Sequence, residues 1–191
     1  MKNYLIILAL LVFSGASFAQ TSFNVNPTKS IVKWRGKKIV GGDTEGTILI
    51  SKGQFSVKSK NVETGEIHMD TKSITSEKAP ARLVAHLKNE DFFDVEKFPV
   101  ASFVITEVKG AANNAQVTGK ITIKGITETI SFPTQFTIGK DVLVATAKDV
   151  KVNRTKFGVK YRSGSIFSGL GDGAIEDNFV LDITIVAEIA K

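Results

Sequence analysis

Cysteine is absent from all 191 residues. No disulfide can staple the fold, no thiolate can act as nucleophile or metal ligand, and no cysteine is available to carry a lipid anchor. Histidine occurs only at His68 and His86, and neither has the spaced partners of a zinc site. Gly-x-Ser-x-Gly is missing, because Ser165 and Ser168 each lack the glycine two positions earlier. The glycine-rich Gly169-Leu170-Gly171-Asp172-Gly173 has neither the spacing nor the strand–turn–helix setting of a dinucleotide fingerprint, and no Gly-Lys-Ser/Thr follows it. Asp172, Glu176 and Asp177 do not follow the calcium-loop pattern. No apolar run after residue 19 is long enough to cross a bilayer as a helix. Zinc-finger, helix-turn-helix and RNP-like patterns are also absent, so nucleic acid is not an expected partner.

What is present begins with an address. Lys2 precedes the apolar stretch Leu5 to Phe13, and Ser17-Phe18-Ala19 places small residues where a signal peptidase reads. Residues 1–19 are expected to be a cleaved signal peptide, leaving residues 20–191 as one domain of a periplasmic or secreted protein. A domain of ~150 residues buries roughly 70% of its unfolded surface, enough to be stable without disulfides. The formal charge is +6, with Lys33, Arg35, Lys37 and Lys38 as its densest group. That group reads first as a solvated strand face and second as an attraction for anionic headgroups.

Period-two alternation dominates the chain after residue 20, the signature of half-buried strands. Gln116 to Lys124 alternates most cleanly, and Asn178 to Ile189 nearly so. Similar runs span Ser30 to Val40, Gly46 to Val57, Ala101 to Val108, Ile126 to Ile138 and Asp141 to Val152. Gly41-Gly42-Asp43, Asn113-Asn114, Lys124-Gly125 and Gly139-Lys140-Asp141 supply turn chemistry between them. Lys52-Gly53-Gln54 is expected to interrupt the second run. About eight strands and a single helix near Lys78 to Lys88 follow, which rules out a parallel βαβ fold. Closure into a barrel and stacking into a sandwich both satisfy the pattern.

Ala81 to Phe103 departs from the alternation. Leu83 and Leu87 share one helical face with Ala79, and Pro80 suits the first turn. An acidic, aromatic run follows: His86-Leu87-Lys88-Asn89-Glu90-Asp91-Phe92-Phe93-Asp94-Val95-Glu96-Lys97-Phe98-Pro99. Adjacent phenylalanines are unusual in a loop and should plug something apolar. This run, with Gly119-Lys120-Ile121-Thr122-Ile123-Lys124-Gly125-Ile126-Thr127 and Asn153-Arg154-Thr155-Lys156-Phe157-Gly158-Val159, resembles the YceI-like family. These are lipocalin-like bacterial proteins associated with polyisoprenoid binding, and the resemblance covers essentially the whole chain after residue 20. It implies an all-β fold with one short helix: an antiparallel, eight-stranded lipocalin-like barrel enclosing an apolar cavity, with the helix near one mouth.

An eight-stranded barrel has room for its own side chains or for one small ligand. Of the thirteen phenylalanines, Phe13 and Phe18 leave with the signal peptide, and the remaining eleven, against at most two tyrosines and one tryptophan, favour walls without polar handles. Each enclosed methylene contributes ~0.8 kcal/mol, so a long hydrocarbon chain suits such walls. The expected ligand is a polyisoprenoid, an isoprenoid quinone or a fatty-acid-like molecule. Phe92, Phe93 and Phe98 are assigned to the mouth, with Leu83 and Leu87 closing over them. Trp34, Phe103, Ile121, Phe132 and Phe136 are assigned to the strands' inner faces, and Phe157 and Tyr161 to the segment after them. Arg154 reads either as an anchor for a headgroup phosphate or pyrophosphate or as one half of a buried pair with a carboxylate such as Asp91 or Asp94. Residues 154–177 are long and glycine-rich and read as a flap over the cavity. No cofactor or metal is expected. Transient contact with a membrane surface fits the ligand, and a homodimer is left open. Two other readings stand beside the carrier: an interaction or stress protein whose barrel is filled by its own side chains, and a lipid-modifying enzyme. The enzyme would require His86, Asp91 or Arg154 to converge on the cavity.

Overall fold

The computed structural model describes residues 20–191; the expected signal peptide, residues 1–19, lies outside the described residues. Among the described residues nine strands form one antiparallel sheet: β1 (Thr21–Val25), β2 (Ile31–Lys37), β3 (Asp43–Lys58), β4 (Asn61–Thr75), β5 (Val100–Lys109), β6 (Ala115–Ile123), β7 (Ile126–Ile138), β8 (Val142–Asn153) and β9 (Asn178–Ile189). An α-helix, α1 (Ala81–Lys88), lies between β4 and β5. β1 and β2 both pair with β3 and with β9, at opposite ends of those strands. They therefore lie end to end as one stave, and the sheet closes on itself as an eight-stave barrel. Closure leaves no unpaired edge to recruit another strand.

Each strand turns one face inward, but not at constant parity. β6 alternates buried and open positions without a break, as its sequence predicts. β8 does not: Leu143, Ala145 and Ala147 are buried, then Val150 and Val152. A bulge between Ala147 and Val150 makes the shift, with Asp149 in the left-handed region at φ 53°. Its amide donates to Asp182 Oδ1 at 2.9 Å, and its carboxylate accepts from Arg35 at 2.6 Å. The extra residue re-aims everything downstream, so Arg154 enters the interior rather than the solvent.

Two expectations need correction. β3 runs unbroken through Lys52-Gly53-Gln54; the irregularity there is a register shift between Ile50 and Lys52, not a turn. Inward parity passes from Ile48 and Ile50 to Phe55 and Val57 across it. β2 ends at Lys37 rather than reaching Val40, and Lys38 makes an isolated bridge to Ile175. The turn between β3 and β4 is built from Ser59 and Lys60, both at positive φ, 51° and 63°. Neither residue carries the Asn or Gly signal of such turns. The β6–β7 turn has the expected chemistry, with Lys124 and Gly125 at φ 50° and 73°.

The buried cluster inside the barrel is almost wholly apolar, with Phe23, Phe55, Leu143, Ile185 and Phe157 among its least exposed members. Phe23, Val57, Val62 and Leu143 pack the end opposite the helix. The interior is looser toward α1.

Candidate functional site: an apolar chamber under the helix

α1 begins after Pro80, whose carbonyl accepts from the Leu83 amide at 2.8 Å. No side chain caps it. At eight residues it is too short to be stable alone and depends on what its apolar face covers. The chain beyond it turns tightly. Phe93 N–H donates to Leu87 O (3.2 Å), Val95 to Lys88 O (3.0 Å) and Phe98 to Asp94 O (2.8 Å), with Asp94 at φ 48°. These bonds turn Phe92, Phe93 and Val95 down onto the barrel. Thr71 then staples the exit: its hydroxyl donates to Phe98 O at 2.7 Å and its amide to Pro99 O at 3.0 Å.

Beneath this cap is a cavity of about 160 Å³. Leu83, Leu87, Phe92 and Phe93 form its roof, and Trp34, Val32, Ile48, Met69, Ile74, Ala101, Ile121, Ile123, Phe179 and Leu181 its walls. Phe93 meets Phe179 edge to face, with ring centres 6.2 Å apart. Trp34 satisfies its indole N–H on Thr47 O at 3.3 Å, and Gly46 lets it lie flat, since a Cβ there would come within 2.6 Å of the ring. A second, deeper cavity of about 60 Å³ lies toward the other end. Phe55, Phe103, Phe132, Phe136, Ile105 and Ile185 line it, and it shares Val32, Met69, Ile121 and Leu181 with the first. The barrel is therefore not packed solid from rim to rim.

Arg154 lies at the border of the chamber with its guanidinium bonded to the main chain. It is 4% exposed and is consumed by backbone. Nε donates to Glu176 O (2.9 Å), Nη1 to Val159 O and Tyr161 O (both 2.9 Å), and Nη2 to Ile175 O (3.0 Å). Burial pushes its pKa down, and the nearby Asp177 works against that. Asp91 and Asp94 do not pair with it; Asp91 Oδ2 accepts from His86 Nε2 at 2.9 Å instead. One planar guanidinium thus gathers both limbs of residues 154–177 against the barrel wall. Asp177 ties the middle down. Its carboxylate accepts from Ser163 Oγ at 2.6 Å and from Ser165 Oγ, and these bonds, with a smaller contribution from Arg154, hold its pKa below the usual aspartate value. The glycine-rich segment is a pinned strap along the mouth.

The thirteen expected contact residues divide three ways. Trp34, Leu83, Leu87, Phe92, Phe93, Ile121 and Arg154 border the outer chamber; Phe103, Ile121, Phe132 and Phe136 border the inner one. Phe98, Phe157 and Tyr161 border neither chamber. Phe98 lies outside the barrel wall against Gly125, under the Lys97 ammonium. Phe157 is 1% exposed within the packed core. Tyr161 stacks edge-on with His86, ring centres 4.6 Å apart, on the outer side of Phe92. Of the three residues a lipid-modifying enzyme would bring to the cavity, His86 and Asp91 do not border the chamber and Arg154 does. Among the described residues no three His, Asp or Glu side chains gather as metal ligands. Met69, Phe179 and Leu181 are wall residues not assigned from sequence. The alternation of β9 puts Phe179 and Leu181 on the inner face, but it does not tell which end of the barrel is left open.

A closed antiparallel barrel of eight staves, capped by one short helix and hollow beneath it along apolar walls, places the protein among the lipocalin-like barrels. The particular family follows from comparison: residues 23–187 match the YceI-like domain, and the chain belongs to that family. A UPF0312 protein of Pseudomonas putida is 29% identical over 183 residues, covering 93% of this chain and 90% of the relative. Among solved structures, BcnA of Burkholderia cenocepacia superposes with a TM-score of 0.70 at 23% identity, over 85% of this chain and 98% of that one. A polyisoprenoid binding domain from Saccharophagus degradans superposes at 0.66 and 9% identity, over 89% and 99%.

Proposed function

We propose that this protein is an exported carrier that holds one long apolar molecule, a polyisoprenoid, isoprenoid quinone or similar lipid, within the barrel for transport or storage. The observation that carries the reading is the chamber under α1, whose roof and walls are predominantly hydrocarbon and aromatic side chains, with Lys37, Lys38, Thr44, Glu176 and Asn178 also in its lining. Thr71 is bonded to Phe98 O and Arg154 to four carbonyls. What such walls can reward is removal of apolar surface from water. The polyisoprenoid binding domain of similar fold from Saccharophagus degradans supports the ligand class. The expected leader at residues 1–19 supports export to the periplasm or beyond.

Size sets a condition on the mechanism. An apolar cavity of about 150 Å³ takes up benzene, so the outer chamber of about 160 Å³ holds on the order of six carbons as it stands. A longer chain enters only if the roof lifts or the wall between the two chambers yields. Within the roof, α1 has no fully buried residue and no side-chain cap. Loading from a membrane suits the rim. Ile39, Val40, Ile166 and Phe167 are exposed there, on two loops joined through residues 174–176.

Titration with isoprenoid alcohols of increasing length tests the reading. Binding should tighten as isoprene units are added until the two chambers are filled, and then level off. A flat response, or no uptake at any length, would contradict it.

A further inference from the structure

Thr134 stands out in the inner chamber. Among the described residues its Oγ1 is the buried side-chain oxygen or nitrogen without a hydrogen-bond partner. The residue is 6% exposed and lines the deeper cavity between Phe132 and Phe136 on the inner face of β7. Across the sheet it faces Ala115, which offers no polar side chain. An unpaired hydroxyl in a hydrocarbon setting is a standing cost to the fold, and positions of this kind persist when something else satisfies them.

Water is a poor candidate for that role. The inner cavity, about 60 Å³, has room for about two waters at ~30 Å³ each, but a buried water needs two to four polar partners. Thr134 supplies one, and the other hydroxyl residue on the wall, Thr146, is half-buried with neighbours of opposite facing. A charged group is also excluded there, because the inner chamber is lined by no Lys, Arg, His, Asp or Glu and an unpaired buried charge is prohibitively costly. What remains is a neutral oxygen carried in on an apolar molecule.

We infer that Thr134 is a deep polar subsite, and that the molecule held in the barrel enters with an uncharged, slim, oxygen-bearing end first: a hydroxyl, carbonyl or ether oxygen that pairs with Thr134 Oγ1. Carboxylate or phosphate ends stay at the mouth. The inference rests on the lipid-binding reading above and narrows it. It sorts candidates by which end goes in, since a prenol or a carbonyl-ended chain has the required oxygen and a hydrocarbon-ended chain does not.

The test compares wild-type protein with Thr134→Val, which keeps the shape and removes the hydroxyl. The probes are dodecane, 1-dodecanol and dodecanoate, each measured by displacement of a fluorescent apolar reporter. The variant should bind 1-dodecanol about fivefold more weakly, the equivalent of one net hydrogen bond, while dodecane and dodecanoate are unaffected or bind more tightly. Without ligand, the variant should melt about 2–4 °C higher, because an unsatisfied buried hydroxyl has gone. Equal effects on the alcohol and the alkane would overturn the subsite and leave the carrier standing. Failure of all three probes to displace the reporter from wild-type protein would remove the carrier reading, and the subsite with it.

Discussion

At the scale of single residues, the hollow depends on side chains that are missing as much as on those present. Gly119 lies in the middle of β6 with the Phe103 ring directly over it: a Cβ there would come within 2.4 Å of that ring and 2.6 Å of Val104 O. The ring can swing, but the carbonyl cannot, since it belongs to the β5–β6 ladder. Gly119→Ala should therefore cost about 1–3 kcal/mol through overpacking, read by urea unfolding, and should drive Phe103 into the inner chamber. Arg154 is the other residue on which much rests. Replacing it by lysine retains the charge but loses the fork that spans four carbonyls. Arg154→Lys should destabilise by on the order of 3–5 kcal/mol, because the orphaned carbonyls stay buried. A loss below ~1 kcal/mol would mean that the guanidinium is not the clamp described here. Neither role is legible in the sequence. The residues following Asn153 identify the segment, but only the parity shift upstream at Asp149 makes Arg154 an inward residue.

At the scale of elements, the bulges and the strap carry the information that alternation cannot. β6 is legible because it has no bulge. β4 is not among the runs that alternation marks out, since its buried positions pass from Val62 to Gly65 and from Thr71 to Ile74, changing parity twice within one strand. Such shifts arise from cross-strand pairing, not from composition. The same logic gives a test at β8. Asp149 holds φ 53°, a conformation glycine adopts freely and β-branched residues resist. Asp149→Val should lower stability by ~1–2 kcal/mol, whereas Asp149→Gly should stay within ~0.5 kcal/mol of wild type, both by thermal melts. The strap should respond to acid. Asp177 has a depressed pKa in the folded protein, owing first to Ser163 and Ser165. Its stabilisation is therefore complete above the ordinary aspartate value of about 4 and lost as pH falls through the lower folded-state value. Hydrogen exchange of residues 163–177, corrected for intrinsic rates, should quicken between pH 5 and pH 3 more than exchange in β6. Equal change in both would mean that Asp177 does not hold the strap.

At the scale of the whole molecule, the closed sheet, the helix and the strap together make a container with one tight end and one loose end. The strands and the position of the helix follow from the sequence pattern, whereas closure into an eight-stave barrel is what the resemblance of the run from His86 to Pro99 to the YceI-like family implies. The division of the interior into two chambers follows from neither. It depends on how far Val32, Met69, Ile121 and Leu181 reach across the axis, which is a matter of rotamers and register. That is also why the sequence does not tell that Phe98, Phe157 and Tyr161 lie away from both chambers: aromatic character marks burial, while the side of the wall on which a ring is buried is set by the tertiary fold. The most direct test of the container is native mass spectrometry of the protein purified from its own host. The account predicts a one-to-one complex with an apolar lipid, diminished in an Ile123→Trp variant whose indole occupies the outer chamber. A wild-type protein that is repeatedly lipid-free, and that stays so after incubation with long-chain isoprenoids, would contradict it.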